Sequence, residues 1–260
     1  MSTFLFNNTV FGPVKSRRLG VSLGINLLPN DSKLCSFDCI YCECGWNPDY
    51  RKIKSKLPER VEVKELLENK LKEMNQKGEL PDVITFAGNG EPTLHPEFAE
   101  IIDDTIELRN AYALKARIAV LSNSTMLHKA KVVEALKKVD DNILKLDSAI
   151  ISTIETMNIP GKNFNFDSMI DHLIRFEGKL TIQTMFLKGS YNGKSFDNTS
   201  DNEVFAWIEL LKKIKPQKVM IYTIARDTPL ATLQKTSLKE LNSIAKIVKD
   251  QLSIEVIVSG

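Results

Sequence analysis

Cysteine and histidine are both scarce in this 260-residue chain, at four and three residues. All four cysteines fall between positions 35 and 44, and none lies elsewhere. A secreted disulfide framework would scatter its cysteines, so this clustering argues for a reducing compartment and a metal or redox site. The histidines, His95, His128 and His172, are too far apart in sequence to suggest a metal site among themselves. An excess of either charge is missing as well: 35 basic and 33 acidic residues leave +2. No global field therefore marks a nucleic-acid binder. No apolar run approaches the roughly 20 residues of a membrane-spanning helix. The opening MSTFLFNNTVFGP lacks the basic start and apolar core of a secretory signal. The expectation is a cytoplasmic protein with no membrane association. With 43% hydrophobic residues, the chain can bury one large core.

What is present is concentrated in Cys35–Cys42, which reads CSFDCIYC. A [4Fe–4S] cube has four irons and is usually held by four thiolates. Three thiolates at this spacing can hold three irons and leave the fourth open to chemistry. Two other readings stand beside this one, a zinc knuckle and buried core thiols. Structural zinc prefers four ligands in two separated pairs, and no second pair follows.

Along the chain, short apolar runs alternate with helical patterns. The strand-like runs are Val21 to Leu28, Asp82 to Ala87, Arg117 to Leu121, Asn142 to Leu146, Leu180 to Leu187, Lys218 to Ile224 and Ile254 to Val258. Between them, apolar residues recur at helical spacing, as in Val63, Leu66, Leu67, Leu71 and Met74 before Gly78. The polar stretch Lys188 to Asp201 reads as a long exposed loop, a candidate lid. Strands too apolar to alternate, joined by helices, mean a mostly parallel sheet in an α/β fold. At least six such units fit a partial barrel or an open doubly wound sheet, in one domain spanning 1–260. Residues 1–20 are expected as an N-terminal extension and 29–46 as the metal-binding loop.

In either architecture the site lies at the carboxyl ends of the strands. Suggestive residues fall there. They are the cysteine loop, Gly88-Asn89-Gly90-Glu91-Pro92, Ser122 with Asn123, Lys145 and Asp147, and Arg226. Lys145 and Gln183 are polar residues within apolar strands, which loop polarity alone does not explain. Lys145 and Asp147 alternate on one strand and could point the same way, or form a buried ion pair. Arg17, Arg18 and Arg226 could hold a carboxylate or phosphate through the guanidinium fork. Lys52, Lys54, Lys56 and Arg60, with Trp46 and Tyr50, form the best local candidate for RNA contact, although a solvated linker face is the favoured reading of them.

CSFDCIYC resembles the CxxxCxΦC signature (Φ aromatic) of the radical S-adenosylmethionine (radical SAM) enzymes. GNGEP resembles their GGEP motif, with Asn89 in place of the second glycine. VFGPVKSRRLGVSLGINLLP and TFAGNGEPTLHPEF look like the short proteins grouped with tRNA-wyosine synthetases and molybdenum-cofactor biosynthesis protein A. The resemblance covers nearly the whole chain and implies an open (β/α)6 barrel. It implies two cofactors, a [4Fe–4S] cluster on Cys35, Cys39 and Cys42, and S-adenosylmethionine. Around the latter it places Tyr41, Gly88, Gly90, Glu91, Ser122, Asn123, Asp147 and Gln183, with Lys145 and Arg226 as catalytic candidates. The implied reaction is reductive cleavage to a 5′-deoxyadenosyl radical that takes hydrogen from a small molecule or an RNA nucleoside. An external flavodoxin- or ferredoxin-like reductant is implied as well. The chain lacks the extra N-terminal cysteines of archaeal wyosine synthetases and the C-terminal cysteines of the molybdenum-cofactor protein. Two alternatives remain: an activase installing a radical on a partner protein, and a non-catalytic iron–sulfur or zinc module. Cys44 has no assigned role.

Overall fold

The structure, a computed structural model, describes residues 4–16, 18–48 and 56–260. Arg17, Tyr50, Lys52 and Lys54 lie outside the described residues.

Seven strands form a parallel array: β2 (Gly20–Ile25), β3 (Val83–Phe86), β4 (Arg117–Ser122), β5 (Asp141–Lys145), β6 (Thr181–Met185), β9 (Lys218–Tyr222) and β11 (Glu255–Ser259). An eighth, β1 (Val10–Ser16), pairs antiparallel on the outer edge of β2. The stretch expected as an extension thus supplies a sheet strand. The sheet runs β1-β2-β3-β4-β5-β6-β9-β11 and curls into a half-barrel, as the sequence predicted.

Helices cover the convex face: α1 (Arg60–Lys77), α2 (Phe98–Tyr112), α3 (Ala130–Lys138), α5 (Phe166–Ile174), α6 (Asp201–Ile214) and α7 (Leu238–Leu252), while α4 (Ile151–Met157) ends against the cysteine loop. The spacing of Val63, Leu67, Leu71 and Met74 puts one stripe of α1 into the core, and Gly78 ends the helix in the left-handed region. Alternation along each strand divides the core. Ile84, Phe86, Ile118, Val120 and Leu144 face the helices. Val83, Ala119, Ile143 and Met220 fill the bottom of the concave side. Above that floor the concave residues become polar, and this change creates the site. Among the described residues no helix is long and apolar enough to cross a membrane.

The stretch expected as an exposed loop is a hairpin, β7 (Leu187–Tyr191) and β8 (Lys194–Asp197), with a two-residue strand β10 (Gln234–Lys235) beside it. Asn192 and Gly193 both take positive φ, as a tight hairpin turn requires. Leu187, Tyr191 and Phe196 pack with Phe37, Cys39 and Tyr41 of the cysteine loop, so the hairpin buttresses that loop.

One buried residue is poorly served. Asn142 on β5 lies beside Val120, facing the helices, and neither polar atom of its amide has a hydrogen-bond partner among the described residues. Leucine has the same branched outline without the desolvated dipole. Asn142→Leu is expected to stabilise the fold by about 1–3 kcal/mol. A rise in melting temperature of at least ~2 °C in calorimetry would show it, and a fall would mean that the amide is satisfied after all.

Candidate active site at the carboxyl end of the sheet

The cysteine loop leaves β2 and is stitched by main chain on both sides. On one side Leu34 N–H donates to Asn89 O (2.8 Å), and Glu91 N–H to Leu34 O (3.1 Å). On the other, Asp38 N–H donates to Asn158 O (2.9 Å), Ile40 N–H to Met157 O (2.9 Å), and Gly161 N–H to Ser36 O (3.1 Å). Asn47 closes the loop on itself, accepting from Cys35 N–H (3.0 Å) and donating to Phe37 O (3.0 Å). Three thiols on such a frame are held in a fixed relation.

Those thiols form one electrostatic group, and none is in a disulfide. Burial raises the Cys35 and Cys39 thiols above their ordinary value, with Glu91 and Cys39 adding to the rise at Cys35 and Cys42 and Asp147 to that at Cys39. Asn123 Nδ2–H points at Cys35 Sγ and Asn158 Nδ2–H at Cys39 Sγ, both at 3.4 Å. The Cys42 thiol is lowered, chiefly by a hydrogen bond with Cys44, whose own thiol is raised by it. Cys44 Sγ also lies 3.5 Å from Gly88 O, and it stands beside the group rather than within it.

Beneath the loop sits Lys33, its side chain 1% exposed. Its Nζ donates to Asp38 Oδ1 (3.0 Å) and Gly45 O (2.9 Å). Burial works against the charge, but Cys42, Cys39, Cys35 and Asp38 outweigh it and hold the ammonium above its ordinary pKa. Soft sulfur donors, amide N–H groups aimed at two of them and a buried cation beside all three suit an anionic iron–sulfur cluster. Among the described residues no three His, Cys, Asp or Glu side chains converge closely enough to hold a single ion. A cube spreads its thiolates over separate irons and asks for a wider triangle.

The GNGEP turn meets the loop at Gly90, which takes φ 139° and pairs with Leu34 as an isolated parallel bridge. A Cβ there would lie 1.9 Å from Leu34 O, so only glycine permits the approach. A Cβ on Gly88 would likewise lie 2.3 Å from Asn26 Oδ1. Asn26 is fully buried and accepts from Asn89 N–H (3.0 Å) and Leu28 N–H (3.3 Å), tying the turn to the end of β2. Asn89 departs from the expected glycine for a visible reason. Its Oδ1 accepts from Phe6 N–H (2.8 Å) and its Nδ2–H donates to Phe6 O (2.9 Å), gripping the N-terminal segment at two points.

Glu91 is buried against Cys35, with one oxygen accepting from Thr93 N–H and O–H and the other from Asn123 N–H (2.6 Å). Burial raises its carboxyl above the ordinary range, opposed by the donors from Asn123, Thr93 and Ser122. Ser122 Oγ also accepts from Ser124 N–H (3.1 Å).

Tyr41, Lys145 and Asp147 form a second knot. Asp147 Oδ1 accepts from Met185 N–H (2.9 Å); Oδ2 accepts from Tyr41 O–H and Asn158 Nδ2–H (2.7 Å), with Lys145 Nζ at 3.4 Å. Lys145 Nζ also donates to Tyr41 Oη (2.8 Å). Burial opposes the Lys145 charge, but Asp147 and its neighbours hold it protonated above the usual value. The buried ion pair left open by the sequence is therefore formed, and both carboxylate oxygens already have protein donors. Gln183 is buried next to Lys145 in register. Arg226 stands at the rim, where its Nη1–H donates to Glu43 Oε2 (2.7 Å).

Two expectations change. Arg60 grips Asp104 with two bonds, at 2.6 and 2.9 Å, so it is committed to α2 rather than open to phosphate. The proposed lid is the buttressing hairpin. Sequence reasoning missed Asn26, Lys33 and Asn158. Asn26 carried the one available signal, a polar residue at the end of an apolar strand.

The radical SAM superfamily profile matches residues 30–173. A GTPase Obg of Brachyspira hyodysenteriae is 31% identical over 95% of this chain and 34% of its own length. A UPF0026 protein of Synechocystis is 32% identical over 85% of this chain and 77% of its own length. Among solved structures, TYW1 with a lysine-pyruvate adduct bound superposes with a TM-score of 0.61 at 15% identity, over 90% of this chain and 74% of that one. At that identity the likeness speaks to the fold. The chain spans from about a third to about two thirds of the length of the first curated relatives it matches.

Proposed function

The chain belongs to the radical SAM superfamily, and from that premise we propose that it is a one-cluster radical SAM enzyme whose cluster sits on Cys35, Cys39 and Cys42. Members of the superfamily use a [4Fe–4S] cluster and S-adenosylmethionine. The observation that supports the assignment best is the loop itself, three thiols fixed between two main-chain seams at the carboxyl end of a parallel half-barrel. When bound and given one electron, cluster and cofactor supply methionine and a 5′-deoxyadenosyl radical able to take a hydrogen atom from a substrate.

The protein's own groups prepare that chemistry. Asn123 and Asn158 donate toward the Cys35 and Cys39 sulfurs, and Lys33 offsets the negative charge that grows on reduction. Gly88 and Gly90 bring the GNGEP backbone against the loop, where it can meet the amino-acid end of the cofactor. Tyr41, Gln183, Ser122 and Asn123 are the remaining candidates around the cofactor, and Glu91 and Asp147 hold that surround in place. Lys145, charged and next to Tyr41, is the group placed to orient a substrate or hold a proton. Arg226 with Glu43 frames the mouth. The electron comes from an external flavodoxin- or ferredoxin-like donor, and the substrate is a small molecule or an RNA nucleoside.

The test is anaerobic reconstitution followed by reduction with S-adenosylmethionine present. About four irons per chain and the appearance of 5′-deoxyadenosine are expected. An intact cluster with the cofactor bound, and no 5′-deoxyadenosine above the protein-free control, would overturn the assignment.

A further inference from the structure

Between the concave face of the sheet and the N-terminal segment lies a cavity of about 780 Å³ that reaches the cysteine loop at Glu43. This is within the size range of single-ligand pockets. One wall is aromatic: Phe6 stacks on Phe11 (ring centroids 3.8 Å apart) and meets Phe4 edge-on (4.9 Å). The other walls carry charge, with Lys15, Arg18 and Arg226 against Glu43 and Asp227. Arg226 is already joined to Glu43.

Arg18 is in a different position. Its guanidinium carbon lies 4.5 Å from the centroid of the Tyr222 ring, at the carboxyl end of β9, a cation–π contact that holds the head group in place. Its Nη1 is buried and has no hydrogen-bond partner among the described residues. A buried donor without an acceptor is costly, more so when it is charged. Close by on the cavity wall, Ser22 and Thr85 share a single hydrogen bond (2.8 Å). Each hydroxyl carries one hydrogen, so one of the two remains to donate elsewhere. A guanidinium on the cavity wall with an unpartnered donor, a spare hydroxyl donor and an aromatic wall together fit a ligand with an oxyanion at one end and an apolar body at the other.

We propose that Arg18 is the anion anchor of this chamber and receives the carboxylate or phosphate-monoester group of a small-molecule substrate. That the occupant is a substrate rests on the radical reading above; the anion site itself does not. Planar fork geometry matches both oxyanions, whereas a lysine at the same place would offer a point charge.

The experiment uses the cluster-loaded protein with S-adenosylmethionine bound, titrated anaerobically in a calorimeter with benzoate, phenyl phosphate and uncharged benzyl alcohol. At least one anion is expected to bind roughly tenfold or more tighter than benzyl alcohol, and comparison of the two anions tells carboxylate from phosphate. Arg18→Gln should abolish that preference while leaving iron content and S-adenosylmethionine affinity unchanged. Arg18→Lys should retain part of it, and it carries the test if Arg18→Gln fails to load iron. Equal binding of all three probes by the unmodified protein would overturn the proposal. So would an Arg18→Gln variant that loses affinity for S-adenosylmethionine rather than for the anion, because Arg18 would then belong to the cofactor. Arg18-dependent anion binding in a protein that makes no 5′-deoxyadenosine would keep the anion site and sink the radical assignment instead.

Discussion

Gly90→Ala is expected to empty the protein of iron while leaving its sheet in place. The new Cβ would lie 1.9 Å from Leu34 O and 2.5 Å from Leu34 C, both main-chain atoms that no rotamer change can move aside. The backbone of the cysteine loop must shift, and the shift breaks the bonds from Leu34 N–H to Asn89 O and from Glu91 N–H to Leu34 O. An L-residue at φ 139° adds about 1–3 kcal/mol of strain, and each lost hydrogen bond adds about 1 kcal/mol. The combined cost, on the order of 3–5 kcal/mol, falls on one seam of the loop that carries the three sulfurs. Gly78→Ala is the matched control, since Gly78 also takes positive φ but a Cβ there would meet nothing within 4 Å. That variant should lose stability only. Iron per chain after reconstitution, read beside far-ultraviolet circular dichroism, separates the two. A Gly90→Ala protein with a full complement of iron would show that the two segments do not meet as described.

Lys33→Met is the second large effect. Methionine fills much the same volume but leaves Gly45 O without its donor, and among the described residues the Asp38 carboxylate then keeps only the bond from Asn47 N–H (2.8 Å). The Asp38 side chain is 27% exposed and can be solvated in place of the lost partner, but the buried carbonyl is left unpaired, so the cost is about 1–3 kcal/mol, to be seen as a fall in melting temperature. The three thiols would also lose the cation beside them. A cluster held there would become harder to reduce, its potential falling by roughly 50–100 mV, measurable in a redox titration followed by electron paramagnetic resonance. An unchanged potential would place Lys33 outside the field of the cluster.

The parallel strands and most helices were legible because both faces of each strand are buried, so apolar runs and helical stripes report the same layers. β1 was not, because VFGPVKS carries a glycine, a proline and mostly exposed side chains, as an edge strand can. The β7–β8 hairpin was taken for a loop because its polar outer face and Asn192-Gly193 turn resemble one. α4, with seven residues, is too short to show a period. In the site, the cysteines and glycines stood out because their chemistry demands those residue types at those spacings. Asn158, Lys33 and Asn26 did not, since an asparagine or lysine that bonds main chain far away in sequence leaves no local pattern. The full engagement of Asp147 likewise depends on Met185 and Asn158, brought to it by β6 and α4.

The two seams of the cysteine loop also set an order of events in time. Cys35 to Cys42 are made before the strip that flanks them on one side, Met157 to Gly161, which follows about 120 residues later, on the order of ten seconds at typical elongation rates. Until then the three thiols are tethered on one side at most. Iron delivered to the nascent chain would meet a loose peptide, whereas iron delivered after Gly161 has folded back would meet a finished mould. The mould is thus complete only once this half has been translated, a delay set by the distance in sequence between the loop and its second seam.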